Sequence, residues 1–175
     1  FQHLTAEDFE YLFKDKDNTF NGYLMKKEVL PVGKLPAKRP LASYEFSENC
    51  YDYLEKMTAL CKENGVELVL IKAPSLYPYW YEEHDAQIQD FANKWELAYY
   101  DLTKEIETIG LDFSQDTYDA GLHLNLSGAT KLSGYFGKVL VENHGIQDRR
   151  SDPAIASVYD EKLRLYDEAA HEKGE

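Results

Sequence analysis

The residues best suited to chemistry are gathered in one short stretch, Tyr118-Asp119-Ala120-Gly121-Leu122-His123-Leu124-Asn125, which runs on into Leu126-Ser127-Gly128-Ala129. A carboxylate, an imidazole and an amide crowd there beside a glycine. Histidine is the side chain best matched to moving protons near neutral pH. A carboxylate that accepts the ring's other N–H fixes the tautomer and stabilises the imidazolium. Asp119 and His123 therefore have the chemistry of two members of a nucleophile triad, orienter and general base. The same residue types also serve blandly, Asp119 as a turn former and His123 as a packing or capping residue. Type alone does not decide between these roles. Asp116 with Asp119 and His123 would also make up a metal-ligand set, but no spacing here is diagnostic of one.

A second candidate is the loop Ser75-Leu76-Tyr77-Pro78-Tyr79-Trp80-Tyr81, with four aromatics in seven residues. It follows a nearly continuous apolar run, and open α/β sheets bind ligands beyond the carboxyl ends of their strands. Tyr77, Tyr79 and Trp80 suit a pocket wall or a sugar-stacking surface, and Asn125 suits a polar contact to the same substrate. The aromatics equally suit a lid packed on the protein's own core. None of the serines has a nucleophile's setting, since neither Gly-Asp-Ser nor Gly-x-Ser-x-Gly occurs. His84 falls on the apolar face of a helix and reads as a boundary core residue. Asp101, at a strand end, reads as the start of a turn. Lys34, Lys38 and Arg39 read as a solvated loop.

These residues need elements to position them. The helical spacing of Cys50, Tyr53, Leu54, Met57, Leu60 and Cys61 predicts a helix over about 48–64 with a buried face, capped by Ser47 and stopped by Asn64-Gly65. Val66–Ile71 reads as a strand covered on both faces and closed by Pro74. His84, Ile88, Phe91 and Trp95 predict a second helix. Leu97–Leu102 reads as a second strand, after which Thr103–Ile106 begins a short helix. Residues 110–125 form the loop of the Asp–His pair. It feeds a helix from about Ser127 to His144-Gly145 that buries Leu126, Ala129, Leu132, Phe136 and Leu140. Upstream, Thr5 caps a short helix and Asn21-Gly22 makes a turn. Residues 23–46, with Pro31, Pro36 and Pro40, form an extended covering segment with a short strand at Tyr23–Val29. Downstream, Asp152-Pro153 starts a last helix. The expected division is a covering segment 1–46, an α/β core 47–146, and a carboxyl-terminal helix and tail 147–175.

Strands alternating with helices predict βαβ connectivity, with parallel strands, a right-handed crossover and flanking helices, of α/β class. Two parallel strands alone would leave two open edges. More sheet is expected from a missing amino-terminal half or from another copy of the chain.

The run Asp119, His123-Leu124-Asn125, then Gly128 and an apolar-periodic helix, resembles the last block of the SGNH (GDSL-type) hydrolases, which sets the triad Asp and His just before the final helix. The order of upstream elements is similar too, so the resemblance covers roughly residues 47–143. It implies the back half of a three-layer α/β sandwich. It also implies the carboxyl-terminal part of an esterase or O-acyltransferase that acts on a small-molecule or glycan ester without a cofactor, in an extracytoplasmic setting. His123 would be the base on a serine outside this chain, Asp119 would orient His123, and the chain alone would be inactive. Two features depart from the family. Asp119 stands four residues before His123 where the family has three, which leaves Asp116 or a backbone carbonyl as an alternative orienter. The blocks that carry the serine, the oxyanion glycine and the asparagine have no counterpart. The alternative function is a non-catalytic glycan- or cell-envelope-binding module built on Tyr77, Tyr79, Trp80 and Tyr81.

Composition narrows the rest. At 175 residues and 43% hydrophobic content, the chain fits one domain with a sizeable core and is not disordered in general. A formal charge of −13 argues against nucleic acid and anionic membrane surfaces as partners. No apolar run approaches the roughly 20 residues of a membrane span. No signal-like segment opens the sequence, and a first residue other than Met is compatible with an upstream anchor or signal. Cys50 and Cys61 fall about 16 Å apart on one helix, beyond the roughly 7 Å that a disulfide allows. They are expected to be unbridged, buried and not metal ligands.

Overall fold

The helix α1 (Glu48–Glu63) leads into the strand β1 (Val69–Lys72), the helix α2 (Glu82–Trp95) and the strand β2 (Ala98–Asp101). β1 and β2 pair in parallel, with Val69 opposite Ala98 and Lys72 opposite Asp101. A parallel pair needs a crossover, and α2, packed on β2, supplies it. In this computed structural model, which describes residues 23–171, the α/β character expected from the sequence is present as a two-stranded parallel sheet with flanking helices. The helix expected after Thr5 and the turn at Asn21-Gly22 lie outside the described residues.

Local chemistry sets where each element stops and starts. α1 ends at Asn64, and Gly65 follows at φ 63°, a left-handed stop that favours glycine. α2 opens with Glu82, Glu83 and Asp85 against the positive end of its dipole. His84 Nδ1 accepts the Tyr81 N–H at 3.5 Å, and its ring stacks on Phe46 with centroids 5.1 Å apart. The boundary-core role expected of His84 is the one it has. Asp101 accepts the Thr103 N–H at 3.1 Å and the Thr103 hydroxyl at 2.6 Å. It thereby starts the 3-10 turn Leu102–Glu105 and the short α3 (Ile106–Ile109), the turn role expected of it. Two long helices follow, α4 (Leu126–His144) and α5 (Pro153–His171).

The described residues divide into two compact units, 28–137 and 23–27 with 138–171. In the first unit, Tyr81, Phe91, Ala92, Leu102, Ile109 and Phe113 form the buried core. In the second, the Tyr23 and Tyr166 rings meet at 6.2 Å and Lys27 Nζ donates to the Ala169 carbonyl. Arg164 bridges Glu161 and Glu168 along α5.

Four expectations about burial and extension are corrected. The apolar stripe of α1 is not buried: Tyr53 is 70% exposed, Leu60 61%, and Met57 is exposed with them. Cys50 and Cys61 on the same helix are free, as the distance requires, but Cys50 is exposed and Cys61 half-buried. β1 is not covered on both faces, since Ile71 is 52% exposed. In each case no described element covers the side chains that were expected to be buried. Finally, residues 23–29 form no strand. Backbone-to-backbone pairing with the Thr117–Ala120 turn is made by Leu30, just beyond this stretch, and the proline that follows has no N–H to continue a ladder.

Candidate functional site

The Asp–His loop is built on two residues with no exposed surface. Asp116 is 0% exposed. Its Oδ2 accepts the Asp112 N–H at 2.8 Å and Lys131 Nζ at 2.6 Å, and its Oδ1 accepts the Ser127 hydroxyl at 2.7 Å. One carboxylate thus pins the loop to the first turns of α4. Burial pushes the Asp116 carboxyl up, but the Asp112 amide, Lys131 and Ser127 together hold it below its ordinary value. Thr117, equally buried, bridges to Leu124, and its hydroxyl accepts the Gly121 N–H at 2.8 Å.

Two other segments clamp the turn from outside. Leu30 donates its N–H to the Thr117 carbonyl and accepts the Ala120 N–H, both at 3.0 Å. The Gly121 carbonyl accepts the Leu76 N–H at 2.9 Å and the Ser75 hydroxyl at 3.3 Å. Ala120 and Gly121 both take positive φ, 60° and 97°. A Cβ on Gly121 would stand 2.6 Å from Val32 Cγ2, so close approach as well as φ requires glycine there.

This left-handed pair of residues folds the loop back, and the four-residue spacing then works. Asp119 Oδ1 accepts the His123 backbone N–H at 2.7 Å, while Oδ2 lies 2.5 Å from His123 Nδ1. The carboxylate holds ring and backbone together, so of the two aspartates weighed it is Asp119 that is bonded to the imidazole. The alternative, Asp116, is fully engaged elsewhere. Burial pushes the Asp119 carboxyl up, but His123, through ring and amide, holds it below its ordinary value. The Tyr118 ring lies nearly parallel to the imidazole, 13° off, with centroids 5.9 Å apart. The imidazole is exposed. With Nδ1–H donated to Asp119, Nε2 is the nitrogen left to take a proton from a nucleophile. Among the described residues no serine hydroxyl is bonded to it.

No family model, curated protein or solved structure matches the chain.

The other residues expected at the site are dispersed. Tyr77 and Tyr79 keep company, with centroids 6.1 Å apart, Tyr79 exposed. Their loop is tied through Ser75 and Leu76 to Gly121, two residues before His123. Trp80 turns the other way, against Phe46 and His84 and under Lys72. Tyr81 is buried and donates its hydroxyl to the Arg39 carbonyl. For these two the lid-on-core reading holds. Asn125, expected to face substrate, is 2% exposed. Its Oδ1 caps α4 by accepting the Gly128 N–H at 3.1 Å, and its Nδ2 donates to the Glu28 and Gln115 carbonyls. That use of the whole amide makes its place structural. Among the described residues no group of three His, Cys, Asp or Glu side chains is arranged to hold a metal ion, and no helix is long and apolar enough to cross a membrane.

Thr117, Lys131 and Leu30 were not evident from sequence. A lone threonine and a helix lysine carry no signal, and Leu30 lies about 90 residues from the turn that it clamps.

Proposed function

We propose that this chain supplies the acid–base half of an acyl-transfer site, as the carboxyl-terminal part of an SGNH-like esterase or O-acyltransferase. The observation that carries the reading is the Asp119–His123 pair, an exposed imidazole held at Nδ1 by a carboxylate that also grips its backbone. In this reading His123 Nε2 takes the proton of a serine supplied by sequence outside this chain, and the serine attacks the ester carbonyl. His123 then returns the proton to the departing alcohol, and Asp119 stabilises the imidazolium between the two steps. Water or a second hydroxyl removes the acyl group by the same relay. The strand bearing the serine would extend the sheet, so the open edges of the β1–β2 pair and the exposed Ile71 support the same reading.

The test is hydrolysis of a short-chain acyl ester by a polypeptide that joins this chain to the serine-bearing segment. Turnover lost on His123→Ala, with none from this chain alone, is the expected result. Turnover by this chain alone, abolished by replacing one of its own serines, would overturn it.

A further inference from the structure

Residues 29–44 contain Lys34, Lys38 and Arg39 and not one acidic residue, in a chain whose net charge is −13 and is therefore −16 without these three. This segment is a strap fastened at both ends. At one end, Leu30 exchanges backbone bonds with Thr117 and Ala120, and Val32 sits against Gly121. At the other, the Arg39 carbonyl accepts the Tyr81 hydroxyl, and the Tyr44 carbonyl accepts Gln87 Nε2 at 2.9 Å. Pro31, Pro36 and Pro40 restrict the chain between and beside the anchors. The cations in the span are exposed. Lys38 Nζ lies 4.8 Å from the centre of the Tyr81 ring, and among the described residues none of the three makes an ion pair. A loose solvated loop on so acidic a body would be free to fold its cations onto some of the 32 carboxylates. This one holds them away from carboxylates, beginning at the turn that positions His123.

We infer that the strap Gly33–Arg39 is a binding site for an anionic group, carboxylate or phosphate, carried by the molecule that reaches His123. The rest of the chain carries a net charge of −16, so a local positive strip that starts at the Asp–His turn concentrates and orients an anionic ligand that the net charge disfavours. The identity of the molecule that carries the anion rests on the acyl-transfer reading, whereas the anion site itself does not.

Pyrophosphate and malonate, titrated separately into the isotope-labelled full chain at low ionic strength, test this by amide chemical shifts. At least one should give saturable shifts confined to residues 33–39 and the 119–123 turn. Affinity should fall by about tenfold or more in the triple variant Lys34→Gln/Lys38→Gln/Arg39→Gln and should weaken with added salt. The probe that saturates tells carboxylate from phosphate. No saturation by either, shifts centred elsewhere, or equal binding by the triple variant would each overturn the site. His123→Ala should leave the binding intact. Anion binding together with turnover that does not need His123 would therefore sink the acyl-transfer reading and keep this one.

Discussion

Asp119 does two jobs with two oxygens, and each sets an expectation. On the proposed acyl-transfer reading, in a polypeptide that includes a serine-bearing segment, His123→Ala should lower acyl transfer by about a thousandfold or more, because triad members act as a unit. Asp119→Asn should cost a comparable factor, since an amide can donate to Nδ1 and favour the wrong tautomer. Steady-state kinetics of the two variants checks both, and full turnover in either removes that residue from the mechanism. Asp116 sets a different expectation, on stability. Its folded pKa lies below the ordinary carboxylate value, so its contribution is present above roughly pH 4 and is lost as pH falls through the folded value. Asp116→Asn should lower stability at neutral pH by about 1–3 kcal/mol and flatten the acid side of the Tm–pH curve. A variant with an unchanged acid limb would show that the carboxylate is not the strut described. The pair itself was legible from residue type, although its four-residue spacing left Asp116 open as the partner of His123. Its scaffold was not, because Thr117 and Lys131 act through distances that only folding creates.

At the scale of elements, α4 carries the site, and its first turn has no slack. A Cβ on Gly128 would stand 2.5 Å from the Asp116 backbone oxygen, whereas nothing lies within 4 Å of one on Gly134. Gly128→Ala should therefore destabilise by about 1–3 kcal/mol, and Gly134→Ala should stabilise by about 0.5–1 kcal/mol through the helix interior. Thermal unfolding of the two single variants compares them directly, and a Gly128→Ala variant as stable as Gly134→Ala would mean that the contact relaxes freely. The helices and both strands were legible from periodicity to within a few residues at most boundaries. The strand expected at Tyr23–Val29 was not there, because a short stretch broken by Lys26-Lys27-Glu28 has no neighbouring edge to pair with. Asn125 was misjudged for a related reason. An asparagine beside a histidine looks like a site residue, yet just before a helix it is a cap.

For the molecule as a whole, the uncovered side of α1 and β1 is the feature that periodicity both found and misread. The spacing of Tyr53, Met57 and Leu60 says that this face packs against something, and the described residues contain nothing that covers it. Sequence pattern reports the need for a partner surface without saying where that surface is. Polar replacement separates the possibilities. In the chain alone, Leu60→Gln and Ile71→Thr should each change stability by no more than about 0.5 kcal/mol, as at ordinary surface positions, and should reduce binding of a hydrophobic dye. If the sheet continues onto a serine-bearing segment, the same substitutions in the longer polypeptide should each cost about 1.5–3 kcal/mol, the value of burying such a side chain. Denaturant unfolding of both forms supplies the comparison. A cost that appears only in the longer form supports completion of the sheet by that segment. A cost already present in the chain alone, rising with protein concentration, assigns the cover to a second copy. Equal and negligible costs in both leave α1 and β1 as free surface and remove the sheet's open edge from the case for acyl transfer.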